Sequence, residues 1–366
     1  MEKISLLEHF SVLPDPRKAG HSQTRHQLSD IIIIAILAVI CGADSWVEIA
    51  SFGREKEAWL RRFLALTNGI PSHNTFGRVF SILDPDAFDR CFSAWVKTVR
   101  TRIKGEVVAI DGKSVRRSHG TNARPLHLVN AFASESGILL GQRKVDGKSN
   151  EIIAIPELLD LLYLKGCIIT TDAMGCQAYI VKKALENKAD YVLAVKGNQA
   201  RLEADIIAIF ENNIGETAST EERGHGRTET RVCRVTNDLS GIRDRARWDG
   251  LKSVCAVTRT WIANKTTSSE TRYFISNLAP DATELLRVVR AHWKVENSLH
   301  WSLDISFRED ESRVRIGHAG QNLSLVRKLA LNLLRQEKTA KVGIKAKRMQ
   351  AGWSEAYLLK VLGVGV

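Results

Sequence analysis

The sequence predicts an α/β protein: a mixed sheet with helices on both faces, a β-rich insertion, and an N-terminal helical domain. Three observations carry that prediction. Apolar residues recur at helical spacing through the first hundred residues. From about residue 105 the pattern becomes three strands, helix, strand, helix, strand, helix. A hairpin-linked trio followed by alternating units gives a sheet with antiparallel and parallel pairs, covered by helices. A β-rich stretch, residues 212–280, then interrupts the rhythm before helices resume.

Residues 1–104 form the first domain. "DIIIIAILAVICGAD" is its most apolar run, about a dozen residues against the roughly 20 a membrane span needs. Asp30 and Asp44 close it at both ends, so it reads as a fully buried core helix and no membrane is expected. Trp46, Ile49 and Ala50, then Trp59, Leu60, Phe63 and Leu64, continue the helical spacing. In "GIPSHNTFGRVFSIL", Pro71 and Ser72 start a helix that carries Phe76, Val79, Phe80 and Leu83 on one side. His73, Asn74, Thr75 and Arg78 lie at its front, as in the second helix of a helix-turn-helix or on a plain surface helix with a Ser cap.

Residues 105–311 form the second domain. "EVVAID", "LHLVNAFAS" and "GILLGQRKV" are strands, the last two joined in hairpin style through Glu135, Ser136 and Gly137. "IPELLDLLYLK", "CQAYIVKKALEN" and "QARLEADIIAIF" are helices that alternate with the strands "GCIITTDA" and "DYVLAVKGN". "RTETRVCRV", "LKSVCAVTRTWI" and "ETRYFISNL" make the 212–280 stretch an inserted β subdomain. A helix containing "RAHWKVENSLHW" follows Pro280. Residues 312–366 are a basic helical C-terminal element: from Arg313 to Arg348 there are ten Lys and Arg and one acid, Glu337.

Lys plus Arg outnumber Asp plus Glu by 53 to 41, a net charge of +12 that attracts polyanions. The six cysteines include no CxxC pair, which excludes a zinc ribbon and a redox motif; reduced thiols in a cytoplasmic protein are expected. No GxGxxG follows a strand, which argues against a dinucleotide enzyme.

Three acids stand out by position. Asp111 ends the first strand, Asp172 ends the fourth, and Glu296 lies far downstream on a helix. Strand ends at the carboxyl edge of a sheet are where α/β folds place ligands. Glu296 falls on the stripe Leu285, Val289, His292, Glu296, Leu299, Leu303, where a Leu would pack. An unpaired buried carboxylate costs several kcal/mol. Either a metal satisfies it, or Glu296 reaches water; Asp111 and Asp172 by themselves read better as ordinary helix caps or turn residues. Brought together, the three would need a cation or protons between them, and hard oxygen donors favour Mg²⁺ or Mn²⁺ as the cation. Two such ions about 4 Å apart serve phosphoryl transfer.

"AIDGKSVRRS", "TTDAMGCQ", "AVKGNQ", "GHGRTETR", "YFISNL" and "RAHWKVENSLHWSLDISFRED" occur in that order. With them the chain resembles bacterial insertion-sequence transposases of the H-repeat-associated (ISAs-type) group, over nearly its whole length. The resemblance implies an RNase H-like DDE core, with Asp111, Asp172 and Glu296 as the catalytic and metal-binding triad holding two Mg²⁺ (or Mn²⁺) ions. It implies binding of double-stranded DNA at terminal inverted repeats and at target, 3′-end cleavage and strand transfer, a homodimer or higher oligomer on DNA, and a nucleoid-associated place in a bacterial cytoplasm. A catalytically silent DNA-binding relative and a structure-selective nuclease are the competing readings. The sequence departs from the YREK pattern of related transposases: Val289, His292 and Leu303 stand where those have Tyr, Arg and Lys, while Trp293 is kept.

The DNA-binding candidates are spread along the chain. Lys113, Arg116 and Arg117 follow the first Asp, and Lys196 and Asn198 follow a strand end. His225, Arg227 and Arg231 lie in the insertion; His292, Asn297 and His300 flank Glu296. Lys345, Lys347 and Arg348 in the C-terminal element are expected on phosphates. Asp304 reads as an auxiliary acid or as the partner of a nearby Arg, and the second is expected.

Overall fold

The computed structural model describes residues 5–17, 24–100, 103–120, 124–145, 151–212, 215–224, 227–263 and 266–363. Helices α1 (Ser5–Phe10), α2 (Leu28–Ile40), α3 (Trp46–Glu55), α4 (Glu57–Leu60), α5 (His73–Ile82) and α6 (Pro85–Val99) come first. Strands β1 (Val107–Val115), β2 (Leu126–Ala133) and β3 (Ile138–Val145) follow, then α7 (Glu151–Leu161), β4 (Ile168–Thr171), α8 (Ala178–Glu186), β5 (Asp190–Val195) and α9 (Ala200–Asn212). The β-rich stretch gives β6 (Glu216–Gly224), β7 (Arg227–Thr236), β8 (Ser253–Ala263) and β9 (Thr266–Ser276). The chain then runs through α10 (Ala282–His292), a π-helical turn (Val295–His300), α11 (Trp301–Ser306), α12 (Ala319–Gln336), α13 (Ile344–Trp353) and α14 (Glu355–Val361).

The strands form one mixed sheet in the order β3-β2-β1-β4-β5-β9-β8-β7-β6. β1–β4 and β4–β5 are parallel; the other pairs are antiparallel. β1 is longer than the sequence suggests. It carries on past Asp111 to Val115 because β2 pairs with it to the end, while β4 stops at Thr171. The expected inserted β subdomain is corrected here: β9 pairs with β5 from Val192↔Ser276 to Val195↔Tyr273, so four strands extend the sheet. That pairing satisfies the outer edge of β5, whose backbone groups would otherwise stay open.

Helices cover both faces. α10 packs Leu285, Val288 and Val289 onto Val107, Ile168, Val192 and Phe274. On the opposite face Leu158 of α7, Val181 of α8 and Ile206 of α9 belong to the core that holds Ile169, Leu193 and Ile275. That core also takes in the N- and C-terminal helices. α2 buries twelve of its thirteen residues, as an apolar run without a polar face must. α12 buries fifteen of eighteen and lies against α2, α5 and β3. Among the described residues, no helix is long and apolar enough to cross a membrane. The cysteines are free, and all but Cys41 are buried.

Candidate active site

The site is assembled by β1, β4 and the π-helical turn. β1 and β4 run in register up to Ile110↔Thr171. Asp111 and Asp172 therefore occupy the next rung, on neighbouring parallel strands. Asp172 leaves β4 as the cap of a short turn, its Oδ1 accepting from Gly175 N at 3.3 Å.

Glu296 arrives from the other end of the chain. α10 begins at the Asp281 cap, which accepts from Glu284 N at 2.9 Å. A continuous α-helix would keep Glu296 on the apolar stripe. Instead the helix widens into a π turn at Val295–His300. The change in turn size breaks the 3.6-residue phase. Val295, Leu299 and Leu303 stay buried, and Glu296 is turned out to an exposed position. There one carboxylate oxygen of Glu296, one of Asp111 and a ring nitrogen of His300 all lie within 4.8 Å of one another. His300 Nδ1 is 3.6 Å from Asp111 Oδ2.

The electrostatics follow from this crowding. Burial, then the nearby carboxylates of Glu296, Asp172 and Glu151, push Asp111 up to about 7. Burial, then Lys113 and Lys328, hold His300 down at about 3, so its imidazole is neutral. Carboxylates that repel and a neutral buried imidazole form a donor set suited to a divalent cation.

A hydrogen-bonded chain supports β1 from behind. His127 Nε2 meets Glu151 Oε1 at 2.6 Å, and His127 Nδ1 meets Ser114 Oγ at 2.8 Å. Gly112 makes room for it: a Cβ there would sit 2.2 Å from Glu151 Oε1 and 2.8 Å from His127 Nε2. Sequence reasoning missed His127 and Glu151. A glycine directly after the first acid was the one available signal.

Several expected DNA contacts lie elsewhere than supposed. Lys113 is buried, its ammonium bonded to Asp304 at 2.9 Å and to Asp310 at 3.3 Å, so it is occupied within the fold. Asp304 thus pairs with Lys113, where a nearby Arg was expected. His292 donates or accepts at Thr170 Oγ1, 2.9 Å away, and burial followed by Arg272 lowers it to about 4; it supplies no positive charge to a phosphate. Lys347 and Arg348 are corrected outright. The Lys347 ammonium donates to the carbonyls of Leu334 (3.0 Å) and Glu337. Arg348 donates to Val39 O at 2.9 Å, Ala43 O at 3.3 Å, Asp44 Oδ1 at 3.0 Å and Ser306 O, over the ring of Phe307. Lys347 holds α13 to the end of α12, and Arg348 holds it to α2 and α11, because helix ends leave carbonyls that need donors. Arg327 and Lys328 of the same basic run are buried too, and half-buried Arg335 donates to Gly137 O at 2.8 Å.

Other candidates face solvent. Arg116, Arg117, Lys196, Asn198, Asn297 and Lys345 are exposed. Arg116 pairs with Asp310 at 3.0 Å and Asn198 donates to Ala173 O at 2.6 Å. Arg231 sits between Glu222 and Glu229. His225 lies outside the described residues, and only the backbone of Arg227 is described. Beside Asp172 opens a cavity of about 280 Å³, lined among others by Lys196, Arg272, His292 and Trp293. A wider cleft of about 700 Å³ on the other side of α10 is lined by Arg231, Arg287, Arg290, Lys294 and Asn297.

Residues 102–333 match the Transposase DDE domain family, and residues 7–96 match the DDE_Tnp_1-associated family. The chain belongs to the DDE transposases of insertion sequences. The transposase is 44% identical over 369 residues to YncI, a candidate transposase of Escherichia coli O157:H7, covering 98% of this chain and 94% of that one. It is 39% identical over 376 residues to YhhI, an H repeat-associated candidate transposase of E. coli strain K12, covering 99% and 98%. A solved piggyBac transposase synaptic complex with hairpin DNA aligns over 99% of this chain and 78% of that one, at 11% identity and a TM-score of 0.42. That likeness is too loose to assign the fold by itself.

Proposed function

We propose that the transposase binds the terminal inverted repeats of its element, cleaves DNA to free a 3′-OH, and joins that hydroxyl to target DNA with the help of Mg²⁺. The approach of Glu296 to Asp111, on the rung beside Asp172, is the observation that carries this reading. Strand order β3-β2-β1-β4-β5 with this placement of acids agrees with an RNase H-like core that β6–β9 extend.

The residues fit a divalent cation: Asp111 is pushed up to about 7 by burial and by the other acids, and bound cations would relieve that crowding. Asp111, Asp172 and Glu296 would hold them. When bound, such ions activate an attacking oxygen and stabilise the leaving one. The chain's own groups do the rest. The Glu151–His127–Ser114 chain braces β1 behind Asp111, and the Lys113–Asp304 pair ties β1 to α11. Exposed Arg116, Arg117, Lys196 and Lys345 offer phosphate contacts, and Asn297 and Arg231 face the basic cleft beside α10. The attacking group is water in cleavage and the DNA 3′-OH in joining, so no covalent enzyme intermediate is required. Two strands must be joined to one target, which favours a homodimer or larger assembly on DNA.

The test is to incubate the protein, Mg²⁺ and a labelled inverted-repeat fragment and resolve cleaved and joined products. Glu296→Gln is expected to cut cleavage by orders of magnitude while repeat binding survives. Full cleavage by Glu296→Gln would remove Glu296 from the site.

A further inference from the structure

We propose that His300 is a direct ligand of one of the two cations, which it shares with Asp111 and Glu296; this rests on the cation-dependent reading above. The close set of ligand atoms is Asp111, Glu296 and His300, and Asp172 lies outside it. Two ligands about 2.0–2.2 Å from one ion are at most about 4.4 Å apart, and His300 Nδ1 stands 3.6 Å from Asp111 Oδ2.

Two further observations separate this from an ordinary core histidine. A buried imidazole is normally kept by hydrogen bonds at its nitrogens, because an unsatisfied buried polar group costs about 1–3 kcal/mol. His300 is only 8% exposed, its Nε2 has no hydrogen-bond partner among the described residues, and the Nδ1–Asp111 separation is longer than a hydrogen bond. A cation between Nδ1 and the two carboxylates would give Nδ1 its partner at that 3.6 Å separation, while Nε2, on another edge of the ring, would not touch it. The second observation is the π turn, which delivers Glu296 and His300 together from one widened segment. Such turns are rare in regular helices and frequent at functional sites.

The two cation positions are then unequal. One is bounded by the oxygens of Asp111 and Asp172. The other mixes the oxygens of Asp111 and Glu296 with an imidazole nitrogen. Nitrogen donors suit Mn²⁺ better than Mg²⁺, so the mixed position is the one that discriminates between the metals.

The experiment titrates the full-length, metal-free chain with Mn²⁺ alone. Electron paramagnetic resonance counts the bound ions, and pulsed measurements read coupling to ¹⁴N. Wild type is expected to bind two Mn²⁺ ions with a directly coordinated nitrogen on one of them. His300→Ala should lose that coupling and weaken one position by roughly tenfold or more. Asp172→Asn should weaken the other and keep the nitrogen signal. Two bound ions in wild type without nitrogen coupling would overturn the role of His300 and leave the acids standing. The wild-type spectrum decides this even if His300→Ala fails to fold. Absence of any Mn²⁺ binding by wild type would instead sink the cation-dependent reading as a whole.

Discussion

Arg348 tests whether the basic C-terminal element holds DNA or holds the fold. The perturbation is Arg348→Met, which keeps a long apolar stem against Phe307 and removes the guanidinium. Ala43 O and Ser306 O lose their donor, Val39 O keeps only Gly42 N at 3.3 Å, and Asp44 loses its cation. Asp44 keeps 24% of its side chain accessible, so water takes over part of its charge and that share of the loss is small. Ala43 O and Ser306 O lie beside a nearly closed side chain, and orphaning the two at about 1 kcal/mol each gives about 2 kcal/mol. Breaking a fully buried charge pair costs about 3–5 kcal/mol, and the water that reaches Asp44 keeps this figure below that range. At about 2 °C per kcal/mol for a chain of this size, the unfolding midpoint should fall by about 4 °C. Calorimetry measures that. The companion assay is the slope of log DNA affinity against log salt. A buried cation releases no counterions on binding, so the slope of the folded variant should match wild type. A wild-type midpoint together with a slope reduced by about 0.9, the contribution of one phosphate contact, would refute the reasoning.

The exposed cations should behave in the opposite way. Replacing Arg117, Lys196 and Lys345 with Ala is expected to leave the midpoint alone and lower the salt slope by up to about 2.7, read by titrations at several ionic strengths. Gly112→Ala inserts a Cβ 2.2 Å from Glu151 Oε1; the Glu151–His127 pair must part, and overpacking should destabilise by about 1–3 kcal/mol, measured by urea unfolding. Asp89 is buried and raised to about 8, chiefly by desolvation. A raised folded value means its protonated form favours folding below the unfolded value of 3.8, and that advantage is lost as pH climbs toward 8. Asp89→Asn should therefore flatten the decline of the unfolding midpoint between pH 4 and 8, and a parallel curve would show that Asp89 is not the titrating group.

The strand and helix order from 105 to 212 was legible because each segment carries its own periodicity. β6–β9 were legible as strands, but their union with β5 was not, since edge pairing joins residues such as Val195 and Tyr273 that nothing local connects. Asp111 and Asp172 were readable as acids closing apolar strand runs, although β1 continues past Asp111 to Val115. Glu296 was noticed because it broke an apolar stripe, yet its exposure depends on a π turn that α-helical spacing cannot show. The same blindness affected charge. Counting ten basic residues from Arg313 to Arg348 suggested a phosphate-facing element, but a count does not distinguish Lys345 in solvent from Arg348 among carbonyls. His300 was singled out as a polar neighbour of Glu296, and only three-dimensional closeness to Asp111 gave it a role as a ligand.

The mutual burial of α2 and α12 has a consequence for how copies of this gene decay. These helices come from opposite ends of the chain, and each is nearly all interior. A stop codon ahead of Ala319 would leave the isoleucine-rich α2 without its lid, exposing an apolar surface that water does not tolerate and that chaperones and proteases recognise. Shortened products should be cleared or aggregate before they occupy DNA. A damaged copy would then fall silent, and would not linger as a competitor for the ends that an intact copy needs.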